Sequence, residues 1–74
     1  MIKTVYIQGK SKAALNRELK AGKELIAYEF NMFNEQQHNF AGLEDGAVVK
    51  VFEKYINGQP YAKAYGNKKG NKIV

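Results

Sequence analysis

The sequence predicts an α+β fold, a small two-layer sandwich with one helix packed on a mainly antiparallel sheet. Three observations carry this. Residues 2–8 alternate and are rich in β-branched and aromatic side chains. Residues 12–21 are helix formers behind a serine. Asn57-Gly58 separates two further alternating segments. The element order they predict is β-α-β-β-β.

In the first strand Ile2, Thr4 and Tyr6 point one way, and Lys3, Val5 and Ile7 the other. Gly9-Lys10 ends it, and Ser11 is placed to cap the helix. Ala14, Leu15 and Leu19 give that helix a narrow apolar stripe. Gly22 is placed to end it in the left-handed conformation. Such a short helix is marginal alone, so it must lie on a sheet.

Residues 24–33 read as a second strand, with Ile26, Tyr28, Phe30 and Met32 on one face. Residues 34–46 are polar and turn-rich, either a loop or the distal part of a wide hairpin closed by Asp45-Gly46. Residues 47–56 and 59–66 are the third and fourth strands. The globular domain is thus expected over residues 1–66, with residues 67–74 a flexible basic tail.

Asn-Gly is suited to a type I′ turn because both central residues need positive φ. A two-residue loop there pairs Ile56 with Gln59, Tyr55 with Pro60, Lys54 with Tyr61, Glu53 with Ala62, Phe52 with Lys63, Val51 with Ala64 and Lys50 with Tyr65. In that register Val49, Val51, Tyr55, Ala62 and Ala64 share a face suited to the helix. Lys50, Phe52, Lys54, Tyr61, Lys63 and Tyr65 share the other, each lysine opposite an aromatic ring.

Charge points the same way. The net charge is +5. Up to Val49 six lysines and arginines meet six carboxylates; from Lys50 onward six lysines meet Glu53 alone. Rings that stack on bases beside ammonium groups that meet phosphates are how sheet platforms hold single strands. The expected function is a small basic nucleic-acid-binding protein without catalysis, RNA or single strands favoured. Its candidate interface is Lys50, Phe52, Lys54, Tyr61, Lys63 and Tyr65, with Lys68, Lys69 and Lys72 adding reach. A solvated face of lysine stems lying over rings explains the same pattern without a ligand. Lys12, Arg17 and Lys20, flanked by Lys10 and Lys23, form a second basic ridge on the helix. The ordinary reading of this ridge is a solvated helix face; as a function it extends a nucleic-acid footprint or meets an acidic protein surface. The alternative function is a small protein-binding inhibitor or adaptor, of the antitoxin, host-takeover or phage counter-defence type, docking through the same aromatic face. Self-association into a homodimer, through the open sheet face or an edge strand, is a third expectation.

No catalytic set is legible. His38 is the only histidine; Glu35 three residues before it offers an acid–base pair, but the expected reading is a solvated loop histidine. Ser11 is better placed as a cap than as a nucleophile. With no cysteine and one histidine, no metal or cofactor is expected. No segment has the roughly 20 apolar residues of a membrane span, and the N-terminus lacks the apolar core of a signal peptide. A small cysteine-free chain is expected in the cytoplasm.

Overall fold

The computed structural model describes residues 3–31 and 34–74. Six strands and one helix follow the chain: β1 (Thr4–Gln8), α1 (Lys12–Lys20), β2 (Ile26–Phe30), β3 (Glu35–Asn39), a 3₁₀ turn at Phe40–Gly42, β4 (Val48–Ile56), β5 (Gln59–Lys69) and β6 (Lys72–Ile73). Ile2, Met32 and Phe33 of the expected first and second strands lie outside the described residues.

The helix starts where Ser11 caps it. The Ser11 Oγ accepts from the Ala14 N–H at 3.1 Å, satisfying a donor that the first turn leaves free. Gly22 follows the helix at φ +89°, as a left-handed stop requires. Leu15 and Leu19 are the buried stripe. They pack on Val5, Ile7, Ala27, Val49 and Val51, the inward residues of β1, β2 and β4, with Phe40, Leu43 and Ile73 closing the cluster.

The sheet is mixed, in the order β3-β2-β1-β4-β5-β6, and curls into a half-barrel. β1 and β4 are parallel; the other neighbours are antiparallel. The expected β-α-β-β-β order therefore lacks two strands. β3 arises from the segment read as a loop or distal hairpin. Its residues are nearly all exposed, and an edge strand wet on both faces needs no apolar alternation to announce it.

The expected tail beyond Gly66 is also replaced. Residues 67–69 continue β5, and the chain turns at Gly70 (φ +58°) into β6. The Asp45 carboxylate accepts from the Gly70 N–H at 2.9 Å. The Asn16 side chain donates to the Ile73 carbonyl at 2.9 Å and accepts from its N–H at 2.8 Å. One amide thus serves as the next strand for β6, and Ile73 is driven into the core. Two residues of strand held by a distant asparagine leave no periodic trace.

The β4–β5 hairpin corrects the expected register in its middle. Asn57 (φ 53°) and Gly58 (φ 78°) form the turn. Ile56–Gln59, Tyr55–Pro60, Val51–Ala64 and Lys50–Tyr65 pair as the turn dictates. Phe52, however, lies opposite Ala62, not Lys63. β5 carries one extra residue at Lys63, and β4 carries one across Glu53-Lys54. The two irregularities offset each other, so both ends of the hairpin keep their register.

Candidate nucleic-acid interface

Opposite the helix the sheet carries a run of aromatic rings. Tyr6, Tyr28, Lys50, Phe52 and Tyr65 share this face through the pairs Tyr6–Tyr28, Tyr6–Lys50, Gln8–Phe52 and Lys50–Tyr65. Ring centroids connect them: Tyr28 to Phe30 at 6.3 Å, Phe30 to Tyr6 at 5.3 Å, Tyr6 to Phe52 at 6.4 Å and Phe52 to Tyr55 at 5.0 Å. Curling brings Tyr55 of β4 near Tyr28 and Glu35, two and three strands away. Burial, the Glu35 charge and Tyr28 all push the Tyr55 hydroxyl above its ordinary value of 10.0.

Lys50 lies among these rings. Its Nζ is 5.3 Å from the centre of Tyr6 and 5.8 Å from that of Tyr65, and it donates to the Tyr6 hydroxyl at 3.5 Å. Lys50 and Tyr65 therefore keep the expected pairing of cation and ring. Phe52 keeps the face but is fully buried beneath its neighbours, so it supports the surface and offers no ring to a ligand.

The extra residue at Lys63 divides the rest. Ala62 and Pro60 pair with Phe52 and Tyr55, so Tyr61 between them points to the other side of the sheet. There Tyr61 lines a shallow depression of about 220 Å³ with Glu53, Lys54, Ile56 and Lys63. Lys63 is held by Glu53 at 2.9 Å. That hydrogen bond keeps the Glu53 carboxyl below its ordinary value of 4.5. The single lysine and aromatic face expected over residues 50–65 is two surfaces.

Lys68 is withdrawn altogether. It is 6% exposed, with its Nζ over the Phe40 ring at 5.5 Å and 3.3 Å from Asp45. The Gly70 amide and then Lys68 hold Asp45 below its ordinary value of 3.8.

Lys69 and Lys72 meet cations from the helix. Together with Arg17, Lys20, Ala13, Asn16 and Asn71 they line a groove of about 590 Å³ between α1 and the β5–β6 turn. None of the four cations is in a salt bridge with a described carboxylate. Arg17 and Lys20 also sit in the last helical turn, where cations offset the helix dipole. Part of the helix ridge read from sequence thus joins the C-terminal lysines, while Asn16 is spent on β6.

His38 does not partner Glu35. Its Nε2 is 2.8 Å from Glu29 Oε1, which also meets Lys3 at 3.4 Å. The His38 hydrogen bond is the main reason the Glu29 carboxyl lies below its ordinary 4.5. Among the described residues no group of three or more His, Cys, Asp or Glu is arranged to hold a metal. No helix among them is long and apolar enough to cross a membrane.

The rings of Tyr6, Tyr28, Phe30 and Tyr55 were not among the expected site residues. The signal for Tyr6 and Tyr28 is their alternation with Val5, Ile7 and Ala27, once those are known to receive the helix. Comparison of the chain with protein-family models, with curated proteins and with solved structures returned no significant match.

Proposed function

We propose that this protein binds nucleic acid, RNA or single strands in preference to duplex, without catalysis. The observation that carries the reading is the groove of Arg17, Lys20, Lys69 and Lys72, four cations around one concavity, none of them in a salt bridge with a described carboxylate. Cations at that density attract a polyanion, and phosphate contacts supply sequence-independent affinity. Arg17 adds the fork that matches a phosphate. The exposed rings of Phe30, Tyr55 and Tyr65 support the preference for single strands, whose unstacked bases find π-faces there. A cysteine-free chain needs no oxidising compartment, which supports a cytoplasmic setting.

Titration of a labelled single-stranded RNA at two salt concentrations tests this. Affinity is expected to fall with salt. The log–log slope should shrink by about 0.7 for each of Arg17, Lys20, Lys69 and Lys72 replaced by Gln. Absence of binding at low salt overturns the reading.

A second reading rests on a different observation. Ile26 (39%), Phe30 (37%), Tyr55 (43%) and Tyr65 (60%) are large, apolar and exposed on the side away from the helix. Such a patch suits an inhibitor or adaptor that docks on a protein. Affinity capture with and without nuclease separates the two: a partner retained after nuclease supports docking, and loss of all partners supports nucleic acid.

A further inference from the structure

The two edges of the sheet are finished differently. At β6 the outward N–H and C=O of Ile73 are both taken by Asn16, and Asn71 ties the adjoining turn to the Leu19 carbonyl. β3 at the opposite edge has no such cover among the described residues.

Which β3 groups are free follows from the ladder. Just beyond the strand ends, the Phe40 N–H donates to the Leu25 carbonyl and the Asn31 N–H to the Asn34 carbonyl, both at 2.9 Å. Antiparallel pairs alternate between bonded and non-bonded. His38 opposite Ala27 and Gln36 opposite Glu29 are therefore bonded within the chain. Glu35, Gln37 and Asn39 turn their N–H and C=O outward.

That edge lacks the usual obstacles to pairing. β3 reads Glu-Gln-Gln-His-Asn, with no lysine, no proline and no bulge. β2 and β3 contain no lysine or arginine. The cation groove sits at the other end of the sheet order, so two molecules meeting through β3 hold their basic surfaces apart.

We propose that β3 is a strand-pairing edge whose partner is β3 of a second copy of this chain, antiparallel about a twofold axis at Gln37. In that register every outward residue finds a bonded mate, Gln37 with Gln37 and Glu35 with Asn39, while Gln36 stands beside His38. No like charges are directly opposed. The contact is isologous, so it closes at two chains and extends no further.

Sedimentation across a concentration series is the test. The wild-type mass is expected to climb toward twice that of one chain. In the same series amide exchange at Glu35, Gln37 and Asn39 slows, while Gln36 and His38 do not change. Gln37→Lys and Gln37→Glu each place like charges across the axis and are expected to stay at one chain. An equimolar mixture of the two restores the doubled mass. A wild type that holds the mass of one chain at every concentration overturns the proposal. So does self-association that both charged variants retain.

Discussion

Tyr61 and Tyr65, four residues apart on β5, lie on opposite faces of the sheet because Lys63 is an extra residue between Ala62 and Ala64. An uninterrupted strand would put them on one face. Tyr65 joins Lys50 and Tyr6 opposite the helix, whereas Tyr61 joins Ile56 and Lys63 on the other side. If bases stack on the ring face, Tyr65→Ala weakens single-stranded RNA binding by about 1–3 kcal/mol. Tyr61→Ala leaves it unchanged. Equal losses in the two variants would reject the division of the hairpin into two surfaces.

The turn that positions these residues was legible in the sequence, and the bulges were not. Asn57-Gly58 demands a local conformation that its two residues alone supply, so the pairs nearest it follow. The irregularity at Phe52 has a non-local origin. It coincides with a ring buried between Tyr6 of β1 and Tyr55 of its own strand. The same distinction separates Ser11, a legible cap, from the cation groove. Arg17 and Lys69 are brought together by tertiary contacts: Asn16 and Asn71 tie β6 and its turn to the helix, and Ile73 packs in the core. The burial of Lys68 is hidden in the sequence for a related reason. A lysine in a polar run looks solvated, and nothing near it in sequence announces the Phe40 ring and Asp45 that receive it.

Asn16 is expected to matter more than a half-exposed helical asparagine ordinarily does. Asn16→Ala leaves both the N–H and C=O of Ile73 without partners in a part-buried setting. The cost is about 1–3 kcal/mol. Asn16→Asp keeps the acceptor for the N–H but sets an oxygen against the carbonyl, so it rescues only part of the loss. Urea denaturation gives the magnitude, and amide exchange at Ile73 shows whether β6 has opened. A change within about 0.5 kcal/mol, ordinary for a surface substitution, would mean that the core contacts of Ile73 hold β6 unaided.

Lys68 separates packing from charge. Its stem fills space beside Phe40 and its ammonium meets Asp45, whose side chain is 67% exposed. Lys68→Met keeps the stem, and the carboxylate left behind stays in water. Stability should therefore change by less than about 1 kcal/mol. Lys68→Ala removes the stem and costs about 1–3 kcal/mol. Neither substitution should weaken RNA binding in the folded protein, because the ammonium is not presented to solvent. A large loss of affinity in a fully folded Lys68→Met would place this lysine in the interface after all.

Acid should destabilise the protein through three named carboxylates. Glu29, Asp45 and Glu53 all lie below their ordinary values, held chiefly by His38, the Gly70 amide and Lys63 respectively. A carboxylate with a depressed folded pKa binds protons more weakly in the native state than in the unfolded chain. Its contribution is complete above the unfolded value, 4.5 for the glutamates and 3.8 for the aspartate. It is lost as pH falls through the folded value. Thermal midpoints are thus expected to be level with respect to these groups above about pH 5 and to drop progressively below it. Asp45→Asn, Glu29→Gln and Glu53→Gln should each flatten part of that drop. Midpoints that rise on acidification, or a wild-type slope unchanged in all three variants, would place the acid sensitivity in other groups.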